Sequence, residues 1–272
     1  MPFVSIADTQ IEFQRIAAGR PRRSSPIVML HEGLGCIALW KDFPQQLAQA
    51  TARDVLLYSR QGYGHSSALV AARTPRYMHH EALQVLPELL DRLGIENPIL
   101  FGHSDGGSIA LIHAGGSQRP VAGVVALAPH VLVEDISISS IAAAKVAYET
   151  TDLRARLERH HDDVDGMFWG WNNIWLNAAF RAWNIEDYVK RIRCGILAIQ
   201  GEQDEYGTMD QIERIARLAP TVRTLLLPNC RHSPHRDQSG AVLNSVVRWI
   251  EEREIGGVEH RLTVQAASGE MP

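Results

Sequence analysis

Cysteine is scarce in this chain. The three copies, Cys36, Cys194 and Cys230, are far apart and odd in number. That argues against a disulfide framework, places no pair at metal-ligand spacing, and points to a reducing compartment. An excess of positive charge is missing too. Lys plus Arg number 27 against 31 Asp plus Glu, a net charge of -4, without the basic stripe that nucleic-acid binders carry. The one basic cluster, Arg20-Pro21-Arg22-Arg23, precedes a predicted core strand and reads as a solvated turn. No apolar run approaches the roughly 18–20 residues needed to cross a bilayer. The start of the chain, Met1-Pro2-Phe3-Val4-Ser5, lacks a basic segment followed by an apolar one, so no secretory leader is expected. Repeats and low-complexity segments are absent as well. These absences predict a cytoplasmic protein that acts on a small molecule, with neither nucleic acid nor membrane as partner; the oligomeric state is left open.

What is present is alternation. The chain has 272 residues, 45% of them apolar, enough for one domain with an insertion. Short apolar runs at 27–31, 55–59, 99–102, 123–127, 196–200 and 224–227 read as buried strands. Longer amphipathic stretches lie between them, the pattern of βαβ units and a mostly parallel sheet. Residues 77–93 carry Leu83, Leu86, Leu90 and Leu93 at helical spacing, and Gly94 ends that helix. The first twenty residues read as an antiparallel hairpin at the sheet edge. The alternation fails between Val131 and Val189, where Trp169, Trp171, Trp175 and Trp183 cluster. The expected organisation is a core of residues 1–130 and 191–254, a helical cap at 131–190, and a flexible tail at 255–272.

Chemistry concentrates at Phe101-Gly102-His103-Ser104-Asp105-Gly106-Gly107. A Gly-x-Ser-x-Gly pattern matches by chance in a chain of this size roughly one time in ten. Here it falls between a predicted strand and a predicted helix, on the sharp turn that lifts a serine hydroxyl above a sheet. The flanking glycines remove clashes that a Cβ would make. The same turn points the backbone N–H of Asp105 to where an oxyanion would form. A serine nucleophile needs a base, and the base needs an orienting carboxylate. Asp204 and His232 follow strands 196–200 and 224–227, on loops past their carboxyl ends. Glu202, Glu205, Glu134 and Asp135 are rival acids, and His235 is a rival base.

Five segments together resemble the α/β-hydrolase superfamily over residues 9–252. They are Leu30-His31-Glu32-Gly33-Leu34-Gly35, Ser59-Arg60-Gln61-Gly62-Tyr63-Gly64-His65-Ser66, the Ser104 turn, Gly201-x-x-Asp204, and His232-x-Pro234. The resemblance implies an α/β-hydrolase fold: a mostly parallel central sheet flanked by helices, with an inserted helical cap. It also implies a Ser104–His232–Asp204 triad, with a second oxyanion N–H from Gly33 or Leu34. The family usually has glycine directly after the loop histidine, where this chain has Glu32. Epoxide hydrolase and dehalogenase chemistry is disfavoured, because the nucleophile position holds a serine.

His130 ends a strand near the predicted site and is a candidate substrate contact, as are Trp169, Trp171 and Trp175. They would favour an acyl or aromatic group. The run His160-His161-Asp162-Asp163-Val164-Asp165 points around a helix rather than converging, so no metal is assigned to it. Cys36 reads as a small buried thiol. The expected activity is hydrolysis of a small carboxylic ester through an acyl-enzyme, with no metal or organic cofactor. The same scaffold leaves open a C–C bond hydrolase of ring-fission products, a thioesterase or acyltransferase, a cofactor-free dioxygenase, and a non-catalytic ligand receptor.

Overall fold

A computed structural model describes residues 1–19, 25–255 and 265–266. The strands are β1 (Phe3–Ile6), β2 (Thr9–Ile16), β3 (Ile27–Leu30), β4 (Val55–Tyr58), β5 (Ile99–His103), β6 (Gly123–Leu127), β7 (Ile196–Gly201), β8 (Val222–Leu227) and β9 (Gln265–Ala266). They form one sheet in the order β1-β2-β4-β3-β5-β6-β7-β8-β9. β1 and β2 make the expected antiparallel edge hairpin, and β2 also pairs antiparallel with β4. From β4 through β9 every pairing is parallel. Every residue of β3 through β7 is buried. That burial explains why those segments read as unbroken apolar runs rather than alternating ones.

Successive side chains project to opposite faces of the sheet. Val28, Leu30, Leu100, Val124 and Ala126 therefore join one core. Ile27, Met29, Phe101, Val125 and Leu127 join the other, beneath Trp40, Phe43, Val246 and Trp249. The register pairs Leu30 with Gly102, His103 with Leu127, and Gly201 with Leu227. It thereby lines up the carboxyl ends of β3, β5, β6, β7 and β8. The segments that follow those ends carry His31, Ser104, His130, Asp204 and His232.

The helical segment from residue 77 differs from expectation in its middle. It runs as α-helix over Tyr77–His80, a π turn over Glu81–Val85, and α-helix again over Leu86–Arg92. Pro87 follows the π turn and has no N–H to give to residue 83. The wide turn shifts the buried stripe to Met78, Ala82, Leu86, Leu89 and Leu90, leaving Leu83 and Leu93 half-buried. Gly94 ends the segment at φ +66°, as expected.

Between β6 and β7 the chain leaves the sheet for the helices Asp135–Thr150, Leu153–Glu158, Val164–Trp175 and Glu186–Val189. A Leu132–Asn184 bridge closes the base of this excursion. The basic turn at 20–23 lies outside the described residues. So does the predicted tail, apart from Ile255, which ends a helix, and β9. Among the described residues no helix is long and apolar enough to cross a membrane.

Candidate active site

Ser104 sits between β5 and the helix Asp105–Gly116 with φ 51° and ψ −119°. A non-glycine residue at positive φ costs on the order of 1–3 kcal/mol, and such strain gathers at functional sites. The turn is held shut from both sides: Ser104 N donates to Leu127 O at 2.9 Å, and Ser108 N donates to Ser104 O at 3.0 Å. Its flanking glycines are sterically required. A Cβ on Gly102 would lie 2.2 Å from Gly106 O, and one on Gly106 would lie 2.1 Å from Leu30 O. Ser104 Oγ makes no hydrogen bond among the described residues. Such bonds often tighten only with substrate in place.

Asp204 and His232 meet. His232 Nδ1 lies 2.8 Å from Asp204 Oδ1. The partner is a carboxylate, so Nδ1 carries the hydrogen and Nε2 keeps its lone pair. Asp204 is braced by Gln200 Nε2 at 2.8 Å and by the N–H groups of Tyr206 (2.8 Å) and Gly207 (3.3 Å). Burial works against charge on both residues. The imidazole nevertheless holds Asp204 below the usual carboxylate range, and Asp204 with Glu205 holds His232 above the usual histidine value. Three of the rival acids have other partners than the His232 ring. Glu134 accepts from Thr208 and Gln211, Asp135 pairs with Arg181, and Glu205 accepts from the His232 N–H at 3.2 Å. His235 is buried between Trp40 and His103, away from Asp204.

The loop after β3 lies against this turn, and Glu32 resolves into a tie rather than an intrusion. Its carboxylate folds over Gly35, 3.2 Å from Arg236 Nη2 and 3.5 Å from His103 Nδ1. Burial opposes its charge, yet His103 and Arg236 hold its pKa well below the usual carboxylate range. The buried Arg60 donates to His31 O (2.5 Å) and Glu32 O (3.0 Å), and its own N–H donates to His31 Nε2 (3.1 Å). The backbone N–H groups of Gly33, Leu34 and Asp105 have no hydrogen-bond acceptor among the described residues. Trp171 packs over this loop so closely that a Cβ on Gly33 would lie 2.1 Å from its Nε1. The Asp105 side chain turns aside and accepts from Tyr77 Oη at 2.7 Å. Burial outweighs the neighbouring Arg60 and keeps its pKa raised.

His130 is buried 5.9 Å from the His232 ring and edge-on to Trp175 at 5.0 Å. Burial pushes its pKa down to about 3, so it is neutral, and its Nδ1 has no partner. Trp171 and Trp175 are therefore brought to the site. Trp169 packs instead on Tyr148 and Phe168 and lines a separate cleft. The acidic histidine run does disperse, although His161 is buried and accepts from Gly64 N at 2.9 Å rather than facing solvent. Asp162 pairs with His65, Asp163 caps its helix, and Asp165 pairs with Arg154. Burial pushes the Cys36 thiol up to about 12. Sequence reasoning missed the roles of Arg60 and His103. The one signal available was a charged or polar side chain abutting a buried strand within a motif.

A model of the Alpha/beta hydrolase family matches residues 27–245. A proline iminopeptidase of Lactobacillus delbrueckii subsp. lactis is 28% identical over 95 residues, 35% of this chain and 32% of that protein. The match to that relative thus spans only about a third of its length. Among solved structures, the enol-lactonase from Burkholderia xenovorans LB400 superposes with a TM-score of 0.72 at 20% identity, over 92% of this chain and 100% of that one. The meta-cleavage product hydrolase from Pseudomonas fluorescens IP01 superposes with a TM-score of 0.74 at 16% identity, over 93% and 98%. At these identities the two structures speak for the fold, while the family match covers most of the sequence, from β3 through β8. The chain belongs to the alpha/beta hydrolase family.

Proposed function

We propose that the protein is a serine hydrolase that cleaves a small carboxylic ester. The observation that carries this reading is the 2.8 Å contact between His232 Nδ1 and Asp204 Oδ1, beside a serine held at φ 51° on a strand-to-helix turn. In this scheme Ser104 Oγ attacks the carbonyl carbon while His232 Nε2 takes its proton. Asp204 orients the imidazole and stabilises its cation. The N–H groups of Asp105 and of Gly33 or Leu34 receive the oxyanion, each worth about 3–4 kcal/mol at the transition state. Collapse expels the alcohol, which takes the proton from His232. Water then attacks the acyl-enzyme, His232 takes a proton from it, and the acid leaves as Ser104 is restored. Each step uses groups of this chain, the substrate and water alone. The helices between β6 and β7 act as a cap, with Trp171 and Trp175 forming an apolar wall that suits an acyl or aromatic group.

A fluorophosphonate probe tests the nucleophile: it should label the wild type and leave Ser104→Ala unlabelled. Absence of label on folded wild type rejects an activated serine. A panel of nitrophenyl esters, thioesters and vinylogous C–C substrates, with Ser104→Ala as control, tests the bond. Turnover confined to the C–C substrates rejects the esterase.

A further inference from the structure

Among the described residues three rings lie against the imidazole of His232: Tyr206 at 4.7 Å between centroids, His103 at 5.1 Å and His130 at 5.9 Å. Tyr206 is the nearest, and the one without a basic nitrogen. Its plane is tilted 40° from that of the imidazole. That is closer to stacked than to edge-on, so its π face rather than its positive rim meets His232. Its hydroxyl makes no hydrogen bond among the described residues. Contact with the site therefore runs through the ring and the main chain.

The main chain holds that ring in place. Tyr206 N–H donates to Asp204 Oδ1 at 2.8 Å, the same oxygen that His232 Nδ1 meets. The carbonyl of Tyr206 accepts from Ser137 Oγ at 2.5 Å, and that of Glu205 accepts from Ser140 Oγ. Ser137 and Ser140 are three residues apart on the helix Asp135–Thr150, hence on one face of it. Glu134, just before that helix, accepts from Thr208 N at 2.9 Å and from Thr208 Oγ1. The loop is thus fastened on both sides of Tyr206.

A cation within about 6 Å of an aromatic centroid is attracted to the ring face, the more so when water is kept away. The His232 side chain is 12% exposed, so little solvent screens it. We propose that Tyr206 is a positioning residue of the reaction: its ring backs the His232 imidazole and favours the imidazolium that forms when Ser104 gives up its proton. The attraction arises with the charge, so it lowers the barrier rather than tightening substrate binding. The inference rests on the esterase reading above.

Tyr206→Phe and its 4-fluoro, 3,5-difluoro and 3,4,5-trifluoro forms test it, because fluorine drains the negative face of the ring while its shape stays nearly constant. The charged and titratable groups around His232 stay the same through the series: Asp204, Glu205 with its partner Arg231, Glu32, His103, His130 and His235. With 4-nitrophenyl butyrate, Tyr206→Phe should match wild type within about twofold, since the ring is kept. Along the fluorinated series kcat should fall stepwise to about fivefold below Tyr206→Phe, with KM little changed, the scale of one cation–ring contact. The acid limb of kcat/KM should move to lower pH by about half a unit in step. A flat series in kcat and in the acid limb, or a loss carried by KM, overturns the proposal. So does a loss of about tenfold or more in Tyr206→Phe itself, which would place the effect in the hydroxyl. If folded wild type turns over no ester, the esterase reading fails by itself, and NMR titration of the His232 ring in the same series then decides. A His232 pKa that falls stepwise with fluorine sustains the contact, and a constant one overturns it.

Discussion

His103 Nε2 lies 2.7 Å from the main-chain oxygen of His232, and since a carbonyl can only accept, the ring nitrogen is the donor. The other edge of the ring faces Glu32, which in turn accepts from Arg236. The residue before the proposed nucleophile thereby ties together three loops that leave separate strands: the one carrying Gly33, the Ser104 turn, and the one carrying His232. Nothing in local sequence joins these loops, so their relative placement depends on this strap.

The strap predicts a positioning effect. His103→Phe keeps the ring's bulk but removes the donor to His232 O. Displacement of a base by about an ångström costs on the order of 100-fold in rate. We expect kcat on 4-nitrophenyl esters to fall about 10- to 100-fold with KM little changed, and His103→Gln, which keeps an N–H donor, to recover most of it. Steady-state kinetics on the three proteins checks this. Loss through KM alone, or no recovery by glutamine, would reject a positioning role.

The Asp204–His232 pair sets a pH dependence. Burial disfavours the His232 cation, but Asp204 outweighs it and raises the pKa. The acid limb of kcat/KM should therefore lie above the ordinary histidine value of about 6.5. In Asp204→Asn burial acts with its main opponent gone, so the limb should move to lower pH while kcat falls by about 10⁴. Stability follows the same linkage. The raised His232 contributes fully below the ordinary histidine range and loses its share as pH rises through its folded value. The lowered Asp204 contributes fully above the ordinary carboxylate range and loses its share as pH falls through its own. The pair thus stabilises most between about pH 4 and 6.5, and Asp204→Asn should flatten the melting temperature against pH on both flanks.

Much of this arrangement was legible in the sequence because it depends on local signals. Interior parallel strands must be apolar on both faces, so 27–31 through 196–200 stood out, and Gly102 is demanded by the nearby Gly106 carbonyl, although Gly106 itself is demanded by the distant Leu30 carbonyl. The Asp204 and His232 loops were legible because strand ends precede them. The π turn before Pro87 was not, since helical spacing assumes a constant period. Nor were the buried roles of Arg60, Glu32 and His103. Their partners lie 28 to 204 residues away, and only the folded sheet brings a strand-end carbonyl or carboxylate to them.

Arg60 carries a stability prediction. Its guanidinium is fully buried, donates to two carbonyls of the loop after β3, and rests 4.8 Å from the centre of Tyr63. Arg60→Met would strand those carbonyls and leave the buried Asp105 and Glu81 with one less compensating charge. The expected loss is about 3–5 kcal/mol by chemical denaturation. Arg60→Lys should rescue little, because a single ammonium cannot replace the fork that reaches both carbonyls. A cost under 1 kcal/mol for methionine would mean that the loop holds itself.

Gly33 and Trp171 form a coupled pair that tests how the inserted helices bear on the proposed oxyanion loop. A methyl group on Gly33 would overlap the indole at 2.1 Å from Nε1 and 2.4 Å from Cδ1. Either the loop or the helix Val164–Trp175 must then move. Gly33→Ala should cost about 1–3 kcal/mol from overpacking and lower kcat, since the proposed oxyanion donors at Gly33 and Leu34 ride on the displaced backbone. Trp171→Ala alone removes the proposed apolar wall and should act mainly on KM. In the double variant the methyl group has space again. The two stability losses should therefore sum to less than their parts by about 1 kcal/mol or more, with kcat returning toward that of Trp171→Ala. Strict additivity in denaturation and in kcat would show that Trp171 does not press on this loop in solution, and would separate the helical insertion from the chemistry beneath it.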